Sequence, residues 1–97
     1  TSLKAPLIGH VGDGNFHMVL LFDPDNPEET AQGRRINSAL IELALSLGGT
    51  STGEHGVGLG KKAYMDAEHG AALDLMRQLK LCIDPANIMN PGKIFDL

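Results

Sequence analysis

Residues 9–17, Gly-His-Val-Gly-Asp-Gly-Asn-Phe-His, place a tight-turn signal between two apolar runs. Asp13-Gly14 suits the centre of a type I′ hairpin turn, because φ is positive at both central residues and Asp and Gly tolerate it. With those two as the loop, Gly12 faces Asn15, Val11 faces Phe16 and His10 faces His17 on the neighbouring strand. Directly opposed β-carbons lie roughly 4.5–5.5 Å apart, which brings both imidazoles within reach of one metal ion. A satisfied polar pair on a half-buried face is the competing reading.

The flanking segments, 6–11 and 16–23, read as the two strands. Beyond His17 the second is apolar on both parities, with Phe16, Met18, Leu20 and Phe22 on one and Val19 and Leu21 on the other. Such a strand is expected to be central, covered on each side. Pro24 and Pro27, with Asp25 and Asn26 between them, end it. A helix is then predicted from Pro27 or Glu28 to Leu47, with Asn26 as N-cap and Glu28 and Glu29 complementing its positive end. Ile36, Ala39, Leu40, Leu43, Ala44 and Leu47 form its apolar face, and Gly48-Gly49 sits where a left-handed C-cap belongs. Gly33 inside it is a local weakness with no explanation in the sequence.

Residues 48–60, Gly-Gly-Thr-Ser-Thr-Gly-Glu-His-Gly-Val-Gly-Leu-Gly, are the second informative stretch. The P-loop spacing fails at Gly60-Lys61, and Gly56, Gly58 and Gly60 alternate instead of reading G-x-G-x-x-G, so neither a phosphate cradle nor a dinucleotide fold is indicated. A flexible linker has no need of Glu54 and His55, whereas glycines around two such side chains let the backbone approach a ligand closely. After Lys61-Lys62 a second helix is predicted from Asp66, as N-cap, to Ile83 despite Gly70. Its expected buried stripe is Ala72, Met76, Leu79 and Ile83, with His69 an ordinary exposed residue. Asp84-Pro85 ends it, and 87–95 is a turn-rich tail.

Composition narrows the partners. A net charge of −4 without a basic run excludes a nucleic-acid footprint. The single cysteine, Cys82, has no partner for an internal disulfide. No apolar run approaches the roughly 20 residues of a membrane span, and the acidic, cysteine-poor composition makes cytoplasm the default compartment, with peripheral membrane association or an organelle also open. Glycine at 12 of 97 residues, with aromatics at 4%, is unusual for a domain that must supply its own core. The chain reads as part of a longer protein whose other surfaces complete its packing.

His10, His17 and Glu54 make a two-histidine, one-carboxylate set that suits zinc first, with iron or manganese as alternatives, and leaves positions open for substrate. His55, pointing away from Glu54 in extended chain, would be a free imidazole suited to general base. Asp13 would hold the turn or orient a ligand histidine. Residue chemistry alone leaves a metal-dependent hydrolase and a redox enzyme both open.

Three motifs in order, Gly9-His10-x-Gly12-Asp13-Gly14-Asn15-x-His17, Gly48-Gly49-x-x-x-Gly53-Glu54-His55-Gly56-x-Gly58-x-x-Lys61, and Asp84-Pro85-x-Asn87-Ile88-Met89-Asn90-Pro91-Gly92-Lys93, resemble the C-terminal part of FAD-linked 2-hydroxyacid dehydrogenases. That group includes D-lactate and D-2-hydroxyglutarate dehydrogenases and the glycolate oxidase flavoprotein subunit. The resemblance implies an α+β fragment, an antiparallel hairpin with two main helices, from the cap and C-terminal region of a flavoenzyme of the vanillyl-alcohol-oxidase type. It divides into a cap hairpin and helix (6–47), an active-site loop (48–60) and a C-terminal helix and tail (61–97). The FAD-binding domain is expected outside these 97 residues. By position His10, His17 and Glu54 hold a divalent metal, His55 takes the hydroxyl proton, Asn15 contacts substrate or flavin, and Lys93 lies toward the flavin. The implied partners are a small 2-hydroxy acid, the flavin domain of the same chain and an electron acceptor. The fragment alone is expected to keep a metal site, to bind no FAD, to be inactive and to self-associate through uncovered surface.

Overall fold

The structure, a computed structural model, describes residues 2–97. It forms two compact units, the first ending at Leu47 and the second spanning Gly48–Leu97.

In the first unit β1 (Leu7–Ile8) and β2 (His17–Met18) pair antiparallel, with Leu7 opposite Met18 and Ile8 opposite His17. The same register continues outward, where the Val19 N–H donates to Pro6 O and the Leu21 N–H to Lys4 O, each at 2.9 Å. Pro6 has no N–H to return, so the ladder is interrupted there and resumes as an isolated Lys4–Leu21 bridge. This corrects the predicted register by two residues. The connection spans residues 9–16, and His10 lies opposite Asn15, not His17.

The cause is the turn itself. Val11–Asp13 form a 3₁₀ turn, in which the Asp13 and Asn15 N–H groups both donate to His10 O at 2.9 and 3.2 Å. Gly14 follows at φ +74° and donates to Val11 O. Type I′ geometry needs positive φ at Asp13 as well, and Asp13 stays helical. Gly9 is required where the two chains cross, since a β-carbon there would sit 2.6 Å from both Asn15 O and Phe16 Cα. The expectation of a central second strand is also corrected: among the described residues the sheet has two strands, and Val19, Leu21 and Phe22 are exposed.

α1 (Pro27–Ser46) forms over the predicted span, but its predicted apolar face is corrected: Gly33 and Ile41 are buried, Ile36, Leu40 and Ala44 are half-buried, and Ala39, Leu43 and Leu47 are exposed. The Asn26 side chain accepts from the Glu28 and Glu29 N–H groups at 3.0 and 3.3 Å, Pro27 opens the helix, and Gly48 takes φ +83° just beyond its end. Gly33 now has its reason. It is buried, and a β-carbon there would lie 2.9 Å from Cε1 of Phe22, whose ring lies against the helix backbone.

In the second unit the expected single helix is two, α2 (Met65–His69) and α3 (Ala72–Ile83). Gly70 adopts φ +52°, ψ −124°, a conformation outside any helix. Its N–H closes α2 on Asp66 O, and its own carbonyl accepts from Leu73 to start α3. Asp66 lies inside the first turn of α2 and caps nothing. The buried stripe is likewise corrected: Met65 and Leu73 are buried, while Leu79 and Ile83 are 55% and 76% exposed.

Asp84, buried, organises the tail. Its carboxylate accepts from the Lys80 ammonium, from Ile88 N–H at 3.1 Å and from Met89 N–H at 2.9 Å. The chain end is tied back through Lys62 to Asp96 (2.6 Å) and Arg77 Nε to Asp96 O (2.8 Å), with the Arg77 guanidinium 5.9 Å from the Phe95 ring centre. No helix among the described residues is long and apolar enough to cross a membrane.

Candidate functional site

The hairpin loop carries His10, Asn15 and His17. His10 is exposed at the start of the 3₁₀ turn, and His17 is half-buried on β2. With His17 paired to Ile8, the two histidines are not the directly opposed couple that the sequence predicted. In a regular ladder they would be diagonal neighbours, roughly 7–8 Å apart at Cα, and gripping one ion requires both rings to lean toward each other. Asn15 lies between them in sequence, and its Oδ1 is buried without a hydrogen-bond partner. A buried, unmade acceptor is costly and marks a place where a donor belongs. Asp13 closes the turn through its backbone.

The glycine loop brings Glu54 and His55 together. Gly53, Glu54 and His55 lie in a bend, and the Thr52 hydroxyl donates across it to Gly56 O at 3.0 Å. Gly56 supplies φ +80° on the far side. The neighbouring side chains therefore turn the same way, with His55 Nε2 3.7 Å from Glu54 Oε1, which corrects the expectation that His55 points away from Glu54. A carboxylate beside the imidazole can fix its tautomer and support the imidazolium that forms when it takes a proton.

Both ends of this loop are tethered, so it is not a free linker. At its start Glu68, from α2, accepts from the Thr50 hydroxyl and the Ser51 N–H, each at 2.7 Å. At its end the Ile94 N–H donates to Gly58 O at 2.8 Å. Ile94 holds φ +71°, a conformation costing a β-branched residue about 1–3 kcal/mol, so the surrounding tail must enforce it. Lys93, exposed, precedes that anchor. Burial raises the Glu68 carboxyl, but its bonds from Ser51 and Thr50 and the charge of His69 outweigh this and hold it below the ordinary value. His69 is paired with Glu68 at 3.2 Å.

Glu68, Thr50 and Thr52 were not legible as loop-setting residues. The contacts of Glu68 span 17 and 18 positions and carry no linear pattern. The Thr52–Gly56 bond is the one local signal, a hydroxyl four residues before a glycine in a Gly-rich run.

The family model for FAD-linked oxidases, C-terminal domain, matches residues 2–94. The chain is 47% identical over 95 residues to a mitochondrial D-lactate dehydrogenase (cytochrome) of Arabidopsis thaliana, covering 97% of this chain and 17% of that protein. It is 49% identical over 90 residues to the mitochondrial D-lactate dehydrogenase (cytochrome) 1 of Saccharomyces cerevisiae, with 92% and 15% covered. Against a glycolate oxidase subunit of Bacillus subtilis the identity is 43% over 88 residues, with 90% and 19% covered. The chain thus spans less than a fifth of the length of each of these relatives. With one family model running through both units, the chain belongs to the C-terminal domain family of FAD-linked oxidases.

Proposed function

We propose that this chain is the C-terminal part of an FAD-dependent dehydrogenase that oxidises a small D-2-hydroxy acid, of the lactate, glycolate or 2-hydroxyglutarate class, to the 2-oxo acid. The observation that carries the reading is the Glu54–His55 pair, 3.7 Å apart on a tethered glycine loop, within a chain matched by D-lactate dehydrogenases and a glycolate oxidase subunit. A bound flavin would supply the hydride acceptor, and a divalent metal, zinc first, would supply positive charge that favours loss of the hydroxyl proton and orients the carboxylate. The donor set fits such a metal: two imidazoles and one carboxylate make a three-ligand site with room for substrate.

In this scheme His10, His17 and Glu54 would hold the ion, and His55 would accept the 2-hydroxyl proton, its imidazolium then lying beside Glu54. The Asn15 Oδ1 accepts from substrate or flavin, which would satisfy its buried oxygen. Lys93 contributes positive charge toward the flavin. The FAD itself would be held mainly by the flavin domain of the full-length protein, which would also complete the substrate pocket, and an electron acceptor would reoxidise the flavin. The many exposed apolar side chains, Leu75, Leu79 and Ile83 of α3 among them, support a chain that works within a larger protein. The compartment follows that larger protein: two of the relatives are named as mitochondrial and one is bacterial.

The test is anaerobic stopped-flow reduction of the intact flavoprotein by D-lactate, glycolate and D-2-hydroxyglutarate. One of the three is expected to bleach the flavin, and H55A is expected to slow that step by about 10²–10⁴-fold, the usual contribution of a general base. A colourless protein that hydrolyses an ester would instead establish the small metal-dependent hydrolase built from the same residues.

A further inference from the structure

We propose that Glu68 is the positioning residue of the glycine loop, setting where Glu54 and His55 stand by clamping the loop's first residues onto α2. The proposal rests on the metal-site reading above. Its basis is geometric. Glu68 spends one carboxylate oxygen on the Thr50 hydroxyl and the other on the Ser51 N–H, both at 2.7 Å, so it holds two successive residues of the loop in a forked grip. Its side chain is 13% exposed, so water competes weakly for those bonds, and charge-assisted bonds of this length are the stronger kind. Ser51 is buried at the point of attachment. Two residues, Thr52 and Gly53, separate the grip from Glu54, and the Thr52–Gly56 bond closes the bend that carries Glu54 and His55.

The loop is rich in glycine, and without a fixed start its backbone would sample many arrangements, each presenting Glu54 and His55 differently. Two points fix it, Glu68 at the entrance and the Ile94–Gly58 bond at the exit. The exit anchor uses a backbone amide and survives side-chain change. The entrance depends on one carboxylate, which makes it the point where a single substitution loosens the site without touching a ligand or the base. His69 Nε2 lies 3.2 Å from the Glu68 oxygen that accepts from Thr50, so it adjoins the grip.

The experiment compares wild type, E68A, E68Q, T50V and E54A as intact flavoprotein, reading zinc affinity by competition with a chelator and hydrogen exchange of the peptide covering 50–56. E68A is expected to weaken zinc about tenfold and to raise exchange in 50–56 at least tenfold, with α1 and α3 peptides unchanged. E68Q, which keeps an acceptor for Ser51, should recover much of both, and T50V should lose a few-fold. Saturating zinc should restore most of the turnover of E68A, which a general loss of fold would not allow. If E54A releases zinc while E68A binds it with wild-type affinity, the clamp is refuted and the metal site stands. If exchange rises equally across α1 and α3, Glu68 is a general stability residue and the positioning role is refuted. A wild-type protein without metal affinity refutes the site reading and this proposal with it.

Discussion

At Gly9 the chain tolerates one residue type only. A β-carbon there meets the Asn15 carbonyl and Phe16 Cα at 2.6 Å, and φ is +150°, so backbone must shift where no flexible side chain can yield. G9A is expected to destabilise the protein by about 2–3 kcal/mol in urea unfolding. Gly33 is the contrasting case. Its neighbour is the Phe22 ring, which can swing away, and alanine brings about 1 kcal/mol of helix propensity. G33A is therefore expected to be near neutral in wild type and stabilising by about 1 kcal/mol in an F22A background, a coupling that a double-mutant cycle measures directly. Both glycines are visible in the sequence, but their reasons are not, because each is set by a residue that meets it only in the fold. Asp13-Gly14 shows the limit from the other side. The dipeptide marks the turn correctly, yet whether Asp13 joins Gly14 at positive φ is decided by the 3₁₀ turn before it, and that choice moves His10 two places in the register.

Among the elements, the span of α1 was legible because its start and stop are written locally, Asn26 and Pro27 at one end and Gly48 at the other, whereas its buried residues, Gly33 and Ile41, lay outside the predicted apolar face. N26A is expected to cost about 1 kcal/mol, since the Glu28 and Glu29 amides lose their shared acceptor. The second helical stretch was half legible. Its apolar period runs through Gly70 unbroken, and the break comes from that residue's φ and ψ, which a period does not encode. The tail turn was read as helix-stopping through Asp84-Pro85, while the use of the Asp84 carboxylate was not foreseen. The Lys80 side chain first, then the Met89 N–H, against the effect of burial, and with help from the Ile88 N–H, bring the Asp84 carboxyl from an ordinary 3.8 down to about 2. A depressed carboxyl stabilises the fold above its unfolded value and loses that contribution as pH falls through the folded one. The tail is thus expected to hold at pH 5 and to loosen between about 4 and 2, with D84N showing a flatter stability profile over that window in acid titration followed by hydrogen exchange of residues 84–95.

For the molecule as a whole, three separated motifs pointed to the FAD-linked oxidases, and the family match over residues 2–94 bears that out. Family membership was legible because the motifs hold unusual residues at fixed spacing. Part of that spacing serves folding: Asn87, Asn90 and Gly92 all take positive φ in the turn organised by Asp84. In the glycine loop the sequence marks Glu54 and His55 but not their approach to each other, which depends on the Thr52–Gly56 bond and the clamp of Glu68. Under the proposed function His10, His17 and Glu54 would serve one metal. Elemental analysis of the intact flavoprotein and of its H10A/H17A/E54A variant, with flavin content read from the same samples, decides this. Near-stoichiometric zinc, iron or manganese is expected in the wild type, lost in the variant while the flavin stays bound. Equal metal in both proteins, or none in a wild type that its substrate fully reduces, would contradict it.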